Sequence, residues 1–237
     1  MGQSYFIWNN VDCRSMGIVL AGPAAIIRGE ERVEHVTIPG RAGELTLTEG
    51  DGIYNGYIQT VTAHVRGGYR ARDVFDWLKG DGYVIFSGEP DRRQKARVIG
   101  AVTLDRHSKN MDTWSGEIQF YCEPLKELLM PVNSTVSASG QDVWNNGDVK
   151  CYPLITATAN ATSMTIAAGG NSLTVTGVTS GSSYKIDCAA GIVTNSAGTE
   201  NLTANSSGKF PVLNVGANNT TGSGWSSLTI DRRERFL

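Results

Sequence analysis

Five carboxylates are the first groups in this chain with the means to do chemistry. Glu30, Glu31 and Glu34 form one cluster, and Glu117 and Glu123 another. Two such acids held several ångströms apart across a glycosidic bond suffice to hydrolyse it. The sequence sets no pair across a cleft, however, and acids beside Arg28 and Arg32 read as a solvated face. His35, next to Glu34, has the chemistry of a general base, but a histidine in a charged run reads as surface. Other catalytic signatures are missing. There is no G-x-S-x-G pentad for a nucleophile elbow. Gly208-Lys209 runs into Phe210 without the earlier glycine of a phosphate loop. Gly50-Asp51-Gly52 with Gly56 misses dinucleotide spacing by one residue. Cys13, Cys122, Cys151 and Cys188 lie far apart, as do His35, His64 and His107, whereas zinc sites draw on closely spaced ligand pairs. Buried free thiols are the expectation. No enzyme activity, metal or cofactor is expected.

Two other groups have chemistry of recognition. The basic run Arg92-Arg93-Gln94-Lys95-Ala96-Arg97 has two readings. In one it is a solvated loop passing into a strand, its stems covering apolar surface. In the other, Arg92, Arg93, Lys95 and Arg97 lie at a subunit boundary, pairing with acids of a second copy. Trp144 and Trp225 have the flat faces that stack on sugar rings, although an aromatic in a β-domain serves more commonly as core or interface.

The elements that must position these residues are mostly strands. Leu45 and Leu47, and Ile118, Phe120 and Cys122, alternate with polar neighbours at the period of a half-buried strand. Asp51-Gly52, Asn55-Gly56 and Asp81-Gly82 have the composition of tight turns. One helix is expected over Arg72–Gly80, with Val74, Phe75, Trp77 and Leu78 on one stripe, Trp77 anchoring it to a sheet and Gly80 stopping it.

Composition divides the chain near Met130-Pro131. Residues 1–130 hold 15 Lys/Arg and 17 Asp/Glu; residues 131–237 hold 6 and 6 and are rich in Ser, Thr, Asn and Gly. In the second half these polar residues alternate with apolar ones, as in Met164-Thr165-Ile166, Ser172–Thr176 and Ser227–Ile230, so it reads as a β-sandwich rather than a disordered tract. Two domains follow, 1–130 and 131–237, with 131–144 as the connector. Sequons such as Asn133-Ser134-Thr135 and Asn201-Leu202-Thr203 read as by-products of this composition. With 40% hydrophobic and 19% charged residues, net charge −2 and no apolar run of about 18 residues, neither membrane insertion nor a surface built to grip nucleic acid all over is expected. The amino terminus lacks the layout of a signal peptide, which fits synthesis in a reducing cytoplasm.

The order of several short signatures then carries a resemblance. Phe6 with Asp12 and Gly17, Ile38-Pro39-Gly40-Arg41-Ala42-Gly43 as a short strand, Trp77-Leu78 with Gly80, and Tyr83-Val84-Ile85-Phe86 with the turn Glu89-Pro90-Asp91 come first. Ile118 to Pro124 follows. The second half adds Asn145-Asn146-Gly147 with Tyr152-Pro153, Ile186-Asp187-Cys188, Phe210-Pro211 through Asn218, and Ile230 with Arg232-Arg233. Together they resemble the distal tail (Dit) proteins of long-tailed bacteriophages over nearly the whole chain. The resemblance implies a mainly β fold. Its amino-terminal ring-forming domain has one short helix and assembles as a homo-hexamer around a channel for DNA passage; its carboxy-terminal domain is a galectin-like sandwich. It implies a structural virion protein at the distal end of the tail, made in the bacterial host cytoplasm. Its partners would be the tail tube protein, the tape measure and the tail-tip or baseplate and receptor-binding proteins. The alternative is a carbohydrate-binding module for host-surface recognition; the chain is too short for an additional inserted sugar-binding module.

Overall fold

The computed structural model describes residues 3–48, 53–66, 70–108 and 111–237, which form two compact units, one ending at Leu129 and one spanning Met130–Phe236. The first contains β1 (Phe6–Trp8), β2 (Val11–Asp12), β3 (Ile18–Leu20), β4 (Val33–Thr37), β5 (Glu44–Thr48), β6 (Tyr57–Arg66), α1 (Arg70–Trp77), β7 (Asp81–Phe86), β8 (Arg92–Ile99), β9 (Asp105–Ser108) and β10 (Met111–Leu128). Its main sheet runs β2-β1-β7-β8-β10-β6-β3, with β9 also on β10. The long β10 is the spine. Period-two alternation turns Ile118, Phe120 and Cys122 inward into the core that Val61, Ala63 and Val65 of β6 share, with Ile118 opposite Val61. Phe6, Trp8, Phe86 and Phe120 pack as a tilted and edge-to-face aromatic cluster with centroids 5.3–5.9 Å apart.

Helix α1 lies where the sequence places it, starting two residues earlier and ending at Trp77, with Gly80 beyond the end at φ +72°. Val74 and Leu78 are buried, and Trp77 stacks on Phe6 (centroids 5.6 Å, 8°) while its indole N–H donates to Trp8 O at 3.3 Å. Phe75, expected on the same stripe, is exposed.

Turn chemistry misplaces several segments. Ile38–Gly43 is not a strand but the connection of the β4–β5 hairpin, where Arg41 N–H donates to Ile38 O. Pro39 has no N–H to give a ladder, and Gly40 and Gly43 both sit at φ +83°. Asp81-Gly82, expected as a turn, opens β7, and Asn55-Gly56 leads into β6 without positive φ. Both glycines instead answer close approach. A Cβ at Gly56 would lie 2.6 Å from the Tyr121 hydroxyl and 2.7 Å from Cys122 O; one at Gly82 would strike the Asn9 amide that accepts from Tyr83 N–H. Asp51-Gly52 lies outside the described residues.

The second unit contains β11 (Asn133–Val136), β12 (Gln141–Asn145), β13 (Leu154–Ala159), β14 (Ser163–Ala168), β15 (Asn171–Thr176), β16 (Ser183–Asp187), β17 (Ile192–Asn195), β18 (Ser206–Gly208), β19 (Gly216–Ser223), β20 (Trp225–Asp231) and β21 (Arg235–Phe236). Two antiparallel five-stranded sheets, β11-β20-β13-β16-β17 and β12-β19-β14-β15-β18, enclose Ile155, Met164, Ile166, Leu173, Ile186 and Leu228. The fold is the mainly β one expected, with this unit a sandwich. Segment 131–144 is no connector: β11 pairs with β20 and β12 with β19, each turning only one apolar residue, Val136 or Val143, into the core. One inward apolar side chain per strand is too little period to read.

Candidate assembly face

The basic run forms strand β8, and alternation splits it. Gln94 and Ala96 are buried, while Arg93, Lys95 and Arg97 project from the outer face of the sheet. Each outward cation meets an acid of a neighbouring strand. Arg93 reaches Glu127 at 3.1 Å and Lys95 reaches Glu123 at 2.9 Å, both on β10; Arg97 reaches Asp81 of β7 at 3.6 Å. Arg92, at the strand start, contacts Glu89 at 3.3 Å. The hydrogen bond and charge of Glu123 raise the Lys95 pKa above its ordinary value. All three outward pairs are well exposed, so solvent screening leaves them little weight in the stability of the fold. Their effect is to cover the face with alternating charge. Between the charges stand exposed apolar groups: Tyr83, over which the Arg93 guanidinium lies at 4.4 Å, Tyr121, and Ile58 of β6. An open cleft lined by Asp81, Lys95, Arg97, Tyr121 and Glu123 runs across it.

Beneath this face lies a polar support that sequence reasoning missed. The β8–β10 register slips between Cys122 and Lys126, a bulge that takes the Glu123 carbonyl out of the ladder. Gln94 turns inward and its amide N–H donates to that carbonyl at 2.5 Å; the Tyr57 hydroxyl donates to Gln94 Oε1 at 3.0 Å. Burial, offset in part by Gln94, pushes Tyr57 up to about 12, so it stays a neutral donor. Beyond the bulge Lys126 is buried, its ammonium held by Glu89 at 2.6 Å and by Ile27 O at 3.2 Å. Glu89 thereby ties the Glu89-Pro90-Asp91 turn, where the sequence places it, to the end of β10. A lone lysine two residues past a proline carries no sequence signal of burial.

The remaining candidates do not converge. Glu30, Glu31 and Glu34 are exposed, and Glu123 is engaged by Lys95. Glu117 borders an open cleft with Asp105, apart from Glu123. His35 lies on β4 with its Nδ1 3.2 Å from Thr46 Oγ1, whereas His64 on β6 meets Ser115 Oγ at 2.8 Å; the side chain of His107 is outside those described. Among the described residues no three His, Cys, Asp or Glu side chains gather as a metal site, and no helix is long and apolar enough to cross a membrane. The four cysteines are buried free thiols; burial raises Cys13 and pushes Cys122, Cys151 and Cys188 up to about 12. In the second unit the tryptophans part. Trp225 is core, its indole N–H donating to Thr165 O at 3.1 Å, and Trp144 is 56% exposed on β12.

No family model and no curated protein matches the chain. Its fold is similar to the crystal structure of SPP1 Dit (gp 19.1), a protein presented as a paradigm of the hub adsorption apparatus in Gram-positive infecting phages. That match has a TM-score of 0.80 at 18% identity and covers 100% of both chains.

Proposed function

We propose that this protein is a distal tail hub of a long-tailed bacteriophage, a non-enzymatic structural component of the virion. The observation that carries the proposal is the full-length likeness to a phage hub protein, spanning both units at once. In this reading residues 1–130 form the ring domain. Six copies close head to tail around a channel for DNA, with two different faces of each copy in contact. The tail tube and tape measure meet the ring, and residues 131–237 act as the adaptor that holds tail-tip or baseplate proteins. The β8 face supports an assembly role for Arg92, Arg93, Lys95 and Arg97. Its charges alternate in sign, its aromatic residues are exposed, and its ion pairs are weak enough to exchange partners with a second copy. Near-neutral charge permits dense packing about an axis without strong self-repulsion.

Light scattering over a concentration series tests it. The expected mass is six subunits or a multiple, and reversing Arg93 and Lys95 to Glu lowers that mass while the fold persists. A monomer at every concentration, with and without tail tube protein, overturns the ring. An unchanged ring in the charge-reversed variant removes the β8 face from it.

A further inference from the structure

We infer that the β4–β5 hairpin is an assembly arm whose apolar face lies, in the ring, on the β8 face of a second copy of this chain. This holds on the ring reading, and it supplies the second of the two faces that a head-to-tail contact needs. The two strands pair with each other in a sheet of their own. Their register makes the hairpin amphipathic. Glu34 stands opposite Leu47 and Val36 opposite Leu45 on one face; His35 stands opposite Thr46 and Thr37 opposite Glu44 on the other. The polar face is tied together, with His35 Nδ1 3.2 Å from Thr46 Oγ1 and 3.8 Å from a Glu44 carboxylate oxygen. The apolar face is left open. Leu47 is 45% exposed, Ile38 just beyond β4 is exposed too, and Val36 and Leu45 are only half-buried. Leu45 and Leu47 thus have the period of a half-buried strand without the burial. A lone two-stranded hairpin is marginal in water and gains stability when a further surface covers its apolar face.

The root of the arm is fixed to the body of the unit. Asn55 N–H donates to Glu30 O at 2.7 Å and Arg32 N–H to Ile53 O at 2.9 Å, Glu31 and Tyr54 pair as a bridge, and Arg32 Nε donates to Asn55 Oδ1 at 3.0 Å. Gly29 brings this root against β10, where a Cβ would lie 2.8 Å from Pro124 Cβ, and Gly56 does the same at Tyr121. A root held in this way presents the apolar stripe ready-made, which lowers the ordering cost of docking.

The acceptor follows from register and charge. Ile58 stands opposite Tyr121, and Tyr121 opposite Arg97, so two exposed apolar groups and a cation form one row of the β8 face. The apolar face of the arm is the complement of that row: Val36, Leu45 and Leu47 beside a single charge, Glu34. Arg97 meets Asp81 at 3.6 Å, the longest of the three outward pairs, so Glu34 of the partner subunit can take over its guanidinium at little loss. Both halves of the contact are present in one chain, which is what a closed ring of identical subunits requires.

Site-specific photocrosslinking of the full chain tests this. Leu47→benzoylphenylalanine is irradiated at concentrations where light scattering gives the ring mass, and a covalent dimer on a denaturing gel is mapped by mass spectrometry. The expected link joins position 47 of one copy to Ile58, Arg97, Tyr121 or their neighbours in another. No dimer, or a dimer linked anywhere else, overturns the arm while the ring stands; a mass of one subunit at every concentration overturns both, so the two failures are distinct. Leu45→Asp combined with Leu47→Asp should raise the concentration of half-assembly by about tenfold or more at unchanged Tm. An unmoved midpoint overturns the arm as well.

Discussion

The two outer sheet faces are built on opposite principles. On the first unit, β7, β8 and β10 carry Asp81, Arg93, Lys95, Arg97, Glu123 and Glu127 in alternating sign; on the second, five strands share the single charge of Asp142. Below both surfaces the arrangement is alike, with apolar side chains from alternate positions and a few buried polar groups whose partners are specific. The contrast teaches that the fall in charge along the sequence is not a difference in foldability. It is a difference in what each face presents: side chains of either sign in one case, an almost uncharged surface in the other. If the outer faces serve partners, stability should reside beneath them, and substitutions can separate the two.

The largest effect is expected at Trp225. Trp225→Ala opens a cavity and strands Thr165 O, at a cost of about 3–5 kcal/mol, read as a lower urea midpoint of the second unit. A loss below about 1 kcal/mol would erase the distinction between core and face tryptophans. Next is Glu89→Ala, which leaves the buried Lys126 ammonium without its carboxylate and is expected to cost about 3 kcal/mol. Lys126→Met combined with Glu89→Leu should recover much of it, by the same measurement. By contrast, Arg93→Ala on the surface above should cost under about 1 kcal/mol.

A pH effect of intermediate size tests the half-buried Asp187–Arg233 pair of the second unit. Burial pushes the Asp187 carboxyl up, but the N–H groups of Ala190 and Ala189 and the guanidinium of Arg233 outweigh it, leaving the pKa below 3.8. Its stabilisation is therefore complete above the unfolded value and is lost as pH falls through the lowered one. Unfolding midpoints of Asp187→Asn and the parent chain should differ at about pH 5 and converge toward about pH 2. A gap that persists would show that the loss is not one of charge. The smallest effect is expected at Trp144, where Ala should move stability by less than about 0.5 kcal/mol, measured by thermal unfolding.

What the sequence by itself determined was the class of each element and the kind of surface available. Alternation through Ile118–Cys122 and Leu173–Val175, the inward Val74, Trp77 and Leu78 of the helix stripe and the Glu89-Pro90-Asp91 turn stand where they read, because strand and helix periods are local properties of the chain. Asn55-Gly56 and Asp81-Gly82 misled because glycine serves close approach as well as positive φ, and which one it serves depends on neighbours distant in sequence, Tyr121 in one case and Asn9 in the other. The basic run was legible as charge, but its partners were not: Lys95 meets Glu123 only through the register of β8 on β10 and the bulge that follows. The tryptophans show the division most sharply. From Leu228 and Ile230 inward, strict alternation sends Trp225 outward. A bulge between Thr158 and Ala159, where Ser226 is passed over, returns it to the core, while unbroken alternation leaves Trp144 in solvent. Period two states which residues share a face. Only the pairing of strands, and the sheet that does or does not cover them, decides which face is inside.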